Sequence, residues 1–309
     1  MARDWQTRRG VDVISSTTSK VLTSAASYGL TMLDTAKDEL GLSASSTDKD
    51  DWITRTIGQA SRAIMNYTNR VFAPELVQDY ITIQRSRRQV PSGRDIVQLS
   101  RWPIMMIASI AQSTSTLGAA TAFIEGTDFR VDYSSGELYR LDADTGMDTS
   151  WEPLPLTVDY IAGYGDMVVE SDTVPGAPYQ ITVAQSAVFS CDQGVTSADG
   201  TALVPVTGTP VSGQYTVSAG QYTFAAVDAG KQLTIGYATF AVPDDVEQAC
   251  LMLLSSRFHA KGRDPRLMEF EEPNVGRSRW WISSNSGQKS GLPPEIADVL
   301  SNYEVPVVA

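Results

Sequence analysis

The sequence predicts an α+β fold: a helical-bundle core with a small β-sheet or hairpin region, and an inserted all-β domain with a sandwich-like or barrel-like shape. Three observations lead to this prediction. Apolar residues recur at helical spacing in 53–67 and 244–258. From residue 77 onward apolar and polar residues instead alternate, as in strands. Finally, residues 172–240 lack arginine, contain Lys231 as their only basic residue, and are rich in Val, Thr and Gly.

Four segments have helical patterns. In the first, Leu33, Ala36, Lys37 and Leu40 share a face, and Gly41 ends the helix. The second begins at Asp50 or Asp51 and has an apolar stripe made of Ile53, Ile57, Ala60, Ile64 and Tyr67. The third begins at Pro243 and Asp244, ends at Gly262, and has a stripe made of Val246, Cys250, Leu253, Leu254 and Phe258. The fourth, after Pro293, is short and has a stripe made of Ile296, Val299, Leu300 and Tyr303.

Strand-like alternation fills most of the region between the second and third helices. The predicted strands are 77–84, 96–99, 105–112, 129–132, 137–140 and 156–160, followed in the all-β block by 179–183, 202–206, 213–217, 221–225 and 232–237. The loop between the first two strands is basic and contains Arg85, Arg87, Arg88 and Arg94, with Arg101 just beyond it. It could contact phosphates or an acidic partner, or it could be a solvated hairpin tip.

These patterns divide the chain into four parts. Residues 1–29 are an N-terminal arm, polar and rich in Ser and Thr, that orders only on assembly. Residues 30–170 and 241–282 form a discontinuous core, and residues 171–240 form the inserted β domain. Because of its change in composition, we expect this domain to fold independently. Residues 283–309 comprise a flexible linker and a C-terminal docking tail.

Composition narrows the function classes. The chain has 309 residues and a formal net charge of −12, whereas a protein that grips nucleic-acid phosphates over its whole surface should be basic. No apolar run is long enough to span a membrane, and no secretory signal is evident at the N-terminus. The two cysteines, Cys191 and Cys250, do not form a disulfide framework. We therefore expect folding in a reducing cytoplasm and no membrane association.

The motifs of several common catalytic sites are missing from the sequence. His259 is the only histidine, which excludes HExxH and two-histidine metal sites, and its place near the end of a helix favours a surface or interface role over catalysis. Gly163 and Gly165 form a Gly-x-Gly fragment without the third glycine of a dinucleotide site. Adjacent acidic pairs such as Asp244-Asp245 point apart and suit helix caps. The sequence thus predicts no catalytic residue, cofactor or metal, and favours a structural or binding role.

A series of short motifs follows the same order as in one known protein family. They are Tyr67-Thr-Asn-Arg-Val-Phe72, Leu99-Ser-Arg-Trp-Pro-Ile104, Asp128 to Arg140, Val158 to Tyr164, Pro243 to Leu253, and Arg263-Asp-Pro265. Together they resemble the head–tail connector proteins of tailed bacteriophages, also called adaptor or head-completion proteins. The resemblance covers residues 30–165 and 241–305. The β-rich block and the longer N-terminal arm depart from the family pattern.

The resemblance implies a structural virion protein that forms a ring, usually of twelve copies, beneath the portal. Such a ring extends the DNA channel, enclosing double-stranded DNA without sequence-specific binding, and joins the head to the tail. Its implied partners are the portal protein, further copies of itself, and a stopper, tail-terminator or other tail protein. The implied location is the virion neck, reached from the host cytoplasm during assembly. An inserted domain of this size is expected to project outward.

Two groups of residues are predicted to form the portal and subunit interfaces. Arginine and tryptophan are common interface anchors. The first group therefore consists of Arg263, Arg277, Arg279, Trp280 and Trp281. The alternative is that the tryptophans cover the protein's own core. The second group is the stripe of the fourth helix, Ile296, Val299, Leu300 and Tyr303, because so short a helix needs a surface to be stable. Here the alternative is that the helix folds back onto its own domain.

Two other functions remain open at this stage. The β domain could bind a cell-surface partner or a glycan, and this binding would then be the protein's function. Alternatively, carboxylates without histidine could hold a metal in an enzyme such as a nuclease. A metal-dependent loss of DNA would favour the enzyme, and the mass of the purified protein with and without portal would favour the ring.

Overall fold

The computed structural model describes residues 14–84, 96–113, 120–260, 269–272, 276–279 and 292–305. The chain divides into two compact units. One comprises Met1–Ala26 and Ala73–Ala241, and the other comprises Ser27–Phe72 and Val242–Ala309. The first is called the β unit below and the second the helical unit. These boundaries differ from those of the predicted domains, because residues 73–162 belong with the β-rich block and not with the helices.

The first lobe of the β unit consists of two antiparallel sheets. Its larger sheet has the order β1-β2-β9-β4-β5, formed by β1 (Ile14–Thr23), β2 (Glu75–Gln84), β4 (Ile104–Ser113), β5 (Ala120–Ala122) and β9 (Leu156–Ala162). Its smaller sheet has the order β3-β7-β6, with β8 also paired to β7; these strands are β3 (Ile96–Gln98), β6 (Phe129–Asp132), β7 (Glu137–Leu141) and β8 (Asp148–Thr149). Strand β1 lies within the predicted N-terminal arm.

A dense apolar core fills the first lobe. Strand β9 buries Leu156, Val158 and Tyr160 at alternate positions, as expected for a strand with one face in a core. Trp151 is fully buried and lies beside Phe123, with ring centroids 6.1 Å apart. The core also contains Val77, Ile81, Ile83, Val97, Leu99, Ile104, Ile110, Phe129, Leu138 and Ala162. This lobe is therefore a structural core in its own right.

The second lobe of the β unit, residues 167–239, also has two sheets and a separate core. The three-stranded sheet has the order β10-β16-β12, formed by β10 (Met167–Thr173), β12 (Phe189–Ser197) and β16 (Gln232–Thr239). The four-stranded sheet has the order β11-β15-β14-β13, formed by β11 (Gln180–Thr182), β13 (Val204–Pro205), β14 (Gln214–Ser218) and β15 (Gln221–Phe224). Aromatic rings fill the core, including Phe189, Tyr215, Tyr222, Phe224 and Tyr237.

A buried carboxylate joins the two sheets of the second lobe. Asp192 of β12 is 7% exposed and accepts hydrogen bonds from Tyr215 Oη at 2.5 Å and Tyr222 Oη at 2.8 Å. The backbone N–H of Gly194 donates a third bond to it, at 3.1 Å. Burial raises the pKa of Asp192, and burial together with this carboxylate raises the pKa of both tyrosines.

The Gly-x-Gly fragment lies between the two lobes, where backbones approach closely. Gly163 and Gly165 have φ values of 150° and 152°, which favour glycine. A Cβ atom on Gly163 would lie 2.6 Å from the backbone of Pro74, and one on Gly165 would lie 1.8 Å from the carbonyl oxygen of Thr239. These glycines thus allow the chain to turn between β9 and β10 while it packs against the backbones of Pro74 and Thr239.

The helical unit contains four described α-helices: α1 (Leu33–Glu39), α2 (Asp50–Thr68), α3 (Asp244–Ala260) and α4 (Pro294–Leu300). The predicted stripes of α2 and α3 are largely buried, and a cluster of Ile53, Ile57, Ala36 and Leu254 joins three of the helices. A hairpin of β17 (Glu269–Glu272) and β18 (Gly276–Arg279) follows α3. None of the described helices is both long and apolar enough to span a membrane.

The predicted helical-bundle core with a small β-sheet or hairpin region is wrong, because the described residues form several antiparallel sheets and more of them lie in β-strands than in helices. The predicted strands are present, but neither the association of the strands nor the existence of β1, β5, β8, β10, β12, β17 and β18 was predicted. Strands that resemble separate hairpins in the sequence stack as two sheets around the buried core of the first lobe. This pairing joins residues far apart in the chain, so that β9 lies between β2 and β4.

Candidate assembly surfaces

The C-terminal segment packs within the helical unit. Ile296 and Leu300 of α4 are 2% and 0% exposed, and α4 lies against α3. The ring of Tyr303 meets that of Phe72 edge-on, with centroids 5.8 Å apart. The backbone N–H of Val305 donates to the carbonyl oxygen of Thr68 at 2.8 Å. The apolar stripe of α4 is therefore covered by the protein's own residues, with Val299 and Tyr303 half-buried.

This packing supports the alternative in which the fourth helix folds back onto its own domain. A helix of this length gains most of its stability from the surface that it covers. In this structure α3 and the end of α2 provide that surface. Contact between the C-terminal segment and a portal stays a prediction, and the residues still exposed there, such as Glu295, Asp298 and Asn302, are the polar ones.

Replacing Leu300 with alanine is expected to destabilise the helical unit by about 2–4 kcal/mol, the usual range for a fully buried leucine. Chemical denaturation followed by far-ultraviolet circular dichroism measures the change in the free energy of unfolding. The exposed Asn302→Ala variant is the matched control and should differ from wild type by less than about 0.5 kcal/mol. Equal stability of the two variants would show that α4 does not rely on this contact.

The arginine and tryptophan group lies only partly within the described residues. Arg263, Trp280 and Trp281 fall outside them. Arg277 and Arg279 belong to β18, where the register places them opposite Glu271 and Glu269. The basic loop with Arg85, Arg87, Arg88 and Arg94 also lies outside the described residues. Participation of this group in an interface therefore stays a prediction.

The helical unit also has an open groove of about 600 Å³. One wall is the segment before α1, with Tyr28, Gly29 and Leu33. The other is a stripe along α2 made of Thr54, Ile57, Gly58, Arg62, Met65 and Asn66; Ser27, Thr31 and Val71 complete the lining. Of the described residues that line the groove, Arg62 alone is charged. A mixed apolar and polar groove of this kind suits a protein segment better than a small ion.

The groove was not predicted from the sequence. Arg62 lies off the apolar stripe of α2 and was interpreted as part of a solvated face. Gly58 could have indicated the groove. A glycine inside a helix lowers the stability of that helix by about 1 kcal/mol relative to alanine, so its presence there calls for a reason. A Cβ atom on Gly58 would meet no described atom within 4 Å, so packing does not require the glycine. The missing side chain leaves the floor of the groove open.

Gly58→Ala is expected to stabilise the isolated protein by about 0.5–1 kcal/mol, because alanine removes the helix penalty without a clash. Thermal and chemical denaturation measure this gain. Gly58→Leu fills the groove, and if the groove is an assembly surface, this variant stays folded but assembles more weakly. Gln59→Leu adds the same side chain at the adjacent exposed position and is the control. A loss of stability in Gly58→Ala would contradict the prediction.

Several resemblance motifs meet in one hydrogen-bonded junction of the β unit. The carboxylate of Asp79 is fully buried and accepts bonds from Ser100 Oγ at 2.8 Å and Tyr160 Oη at 2.9 Å. The next residue, Arg101, pairs with the buried Glu75. Burial and the Asp79 charge raise the pKa of Tyr160, so its hydroxyl stays protonated and donates.

Backbone hydrogen bonds extend the same junction along the motif 158–164. The N–H of Gly163 donates to the carbonyl oxygen of Pro103 at 3.0 Å, and the N–H of Ala241 donates to that of Tyr164 at 3.0 Å. The motifs 99–104 and 158–164 thus hold each other in place. The motif 128–140 forms the β6–β7 hairpin, in which Arg140 bonds the backbone of Asp128. These contacts fix the positions of the motifs within the β unit.

The cysteines, the histidine and possible metal ligands can be placed within the part of the chain that the structure describes. No group of three His, Cys, Asp or Glu residues there is arranged to hold a metal ion. Cys191 and Cys250 are buried free thiols, and burial raises their pKa to about 12 and about 11. His259 lies in the last turn of α3, next to the ring of Phe258.

Comparison with known proteins gives only weak similarity. No protein-family model matches the chain, and no curated protein matches it. The fold is similar to a chain in the neck of an empty gene transfer agent particle computed with C6 symmetry, with a TM-score of 0.41 and 11% identity, covering 94% of this chain and 97% of that chain. A chain in the virion of a native gene transfer agent particle gives a TM-score of 0.39 and 9% identity, with the same coverage. Both scores are below 0.5, so no functional conclusion rests on them.

Proposed function

We propose that this protein is a structural component of the neck of a tailed-phage-like particle. In this role it forms a closed ring, of about twelve copies in the family that it resembles, and the ring joins the portal to a stopper, tail-terminator or other tail protein. The observation that carries the proposal is the ordered set of connector-like motifs at 99–104, 128–140, 158–164 and 243–253. In support, two of these motifs bond to one another in a buried junction, as expected of a fold signature.

The charge of the protein suits the wall of a DNA channel. A formal charge of −12 per copy repels phosphates, so DNA can slide through a ring without being held. Such a ring encloses double-stranded DNA but does not read its sequence. The ion pairs described here support this view, since Arg101, Arg130 and Arg140 are each engaged by a carboxylate of the same chain. These arginines are less available to grip phosphates.

The mass of the protein alone and with portal tests the proposal. We expect a monomer or a weak oligomer in isolation, and a closed ring when portal is added, measured by light scattering after size exclusion and by electron microscopy. A single copy bound at the portal vertex, or a mixture that stays at the sum of its separate masses, would overturn the proposal. A parallel gel assay with DNA and divalent metal detects the alternative of a nuclease.

A further inference from the structure

Two long strands stand at the ends of their sheets in the β unit. Strand β1 ends the larger sheet of the first lobe, and β10 ends the three-stranded sheet of the second lobe. Among the described residues, neither receives a backbone hydrogen bond on its outer side. An open strand edge presents unpaired N–H and C=O groups and readily accepts another strand. These edges are the strongest unoccupied recognition features in the described structure.

Strand β1 is only lightly protected against pairing. It pairs with β2 from Ile14 to Thr23 with one register shift between Val21 and Thr23, it contains no proline, and Lys20 is its only charged residue. Residues 16–20 are exposed and mostly Ser or Thr. Although the chain carries a charge of −12, β1 contains no acidic residue and one lysine, Lys20. It is therefore a stretch where two acidic copies can meet without repelling each other.

Strand β10 has the complementary charge. It is seven residues long and contains Glu170 and Asp172 but no basic residue. Val169 is 65% exposed, and Asp172 is exposed as well. The carboxylate of Glu170 is engaged by the hydroxyl of Tyr237, whereas that of Asp172 accepts a bond from the N–H of the neighbouring Thr173 at 2.7 Å and stays exposed, so Asp172 presents the negative charge on this edge. An edge with Lys20 and an edge with Asp172 suit each other better than either suits a copy of itself.

The other end of the three-stranded sheet is already covered. The outer side of β12 is bonded by the N–H of Ala26 to Ser190 and by the N–H of Leu203 to Val195. The strands at the other described sheet ends are short, with at most four residues each. Only β1 and β10, among the described sheet ends, therefore offer a long free edge.

We infer that β1 of one copy pairs with β10 of a second copy of this chain. The inference rests on the proposed function and deepens it by assigning the subunit contact. A closed ring requires a head-to-tail contact between two different surfaces of the same subunit. Two unlike strand edges with opposite charge provide such a pair, and backbone hydrogen bonds fix its register. In the ring, the edge of β1 is therefore occupied by β10 of one neighbouring copy, and the edge of β10 by β1 of the other neighbouring copy.

Hydrogen exchange tests the pairing directly. In an antiparallel ladder, alternate N–H groups point away from the existing partner strand, so those of β1 and β10 should exchange rapidly in the dilute protein. In concentrated protein, and in rings on the portal if these form, we expect exchange of these amides to slow by about tenfold or more. Assembled protein whose β1 and β10 amides exchange as fast as in the monomer would overturn the inference but leave the proposed ring intact. Absence of any assembly would overturn both.

Cysteine cross-linking tests the head-to-tail arrangement. A chain carrying both Ser19→Cys and Thr173→Cys, exposed positions that lie opposite each other in the antiparallel register that pairs Lys20 with Asp172, should give a ladder of products larger than a dimer under oxidation, whereas each single variant should not. The native Cys191 and Cys250 are buried and serve as an internal background. Cross-linked dimers from Ser19→Cys alone would indicate β1 pairing with itself and would overturn the inference.

Charge reversal gives an independent readout. Lys20→Glu should weaken assembly at low salt by about tenfold, and adding Asp172→Lys should restore it. Arg55→Glu changes the net charge by the same amount at an exposed site of α2 and is the matched control. Equal weakening by Lys20→Glu and Arg55→Glu would show a general charge effect and contradict the pairing.

Discussion

Gly165→Ala is expected to abolish cooperative folding of the β unit or to destabilise it by about 4 kcal/mol or more, which is exceptional for a single methyl group. The new Cβ atom would lie 1.8 Å from the carbonyl oxygen of Thr239, where no flexible side chain can move aside. The φ value of 152° adds backbone strain for any residue other than glycine. Chemical denaturation followed by tryptophan fluorescence measures the loss, since Trp151 is buried in the first lobe.

Two other glycines distinguish the effect of the close contact with Thr239 from the effect of the backbone conformation at Gly165. Gly194 has a φ value of 141° but no described atom within 4 Å of an added Cβ, so Gly194→Ala should lower stability by about 1–2 kcal/mol. Gly176 has no such conformation and also no described neighbour, so Gly176→Ala should be nearly neutral. If Gly165→Ala were no worse than Gly194→Ala, the close approach to Thr239 would not be a feature of the folded protein.

Asp192→Ala is expected to destabilise the second lobe by about 3–5 kcal/mol. The change leaves the buried hydroxyls of Tyr215 and Tyr222 without their acceptor, and an unsatisfied buried polar group costs about 1–3 kcal/mol. Asp199→Ala removes an exposed aspartate from the same lobe and should cost about 1 kcal/mol or less. Equal effects of the two variants would show that Asp192 does not hold the sheets together.

Combining Asp192→Ala with Tyr215→Phe and Tyr222→Phe should recover part of this loss. The triple variant removes the carboxylate and both hydroxyls, so no polar side-chain atom of the network stays buried without a partner. Double-mutant cycles between the three positions then measure the coupling. A triple variant less stable than Asp192→Ala alone would contradict the network and indicate loss of packing only.

The contribution of Asp192 should also depend on pH. Burial raises its pKa in the folded protein above the ordinary value of 3.8, so the folded state favours the neutral acid. The corresponding stability is fully present below 3.8 and is lost as the pH rises through the raised value. The difference in unfolding free energy between wild type and Asp192→Ala should therefore be larger in mild acid than at neutral pH, measured by urea denaturation at both.

The helices of this protein were determined largely by local sequence. The stripe of α2 predicted from Ile53, Ile57, Ala60, Ile64 and Tyr67 is confirmed at its first four positions, which are buried, whereas Tyr67 is half-buried. In the same way, Cys250 is confirmed as a buried free thiol on α3. These predictions succeed because a helix forms its hydrogen bonds between residues four positions apart, so the pattern that buries one face is contained in a short window.

Other features were decided by tertiary structure. Strand β1 has few apolar residues to reveal it, and its ladder depends on β2, more than fifty positions along the chain. The Gly-x-Gly fragment is explained by the backbones of Pro74 and Thr239, and the buried Asp192 by tyrosines from the opposite sheet. The groove beside α2 likewise depends on the segment before α1. Strand pairing, close backbone approach and buried polar networks join residues distant in sequence, and a single sequence carries no local pattern for them.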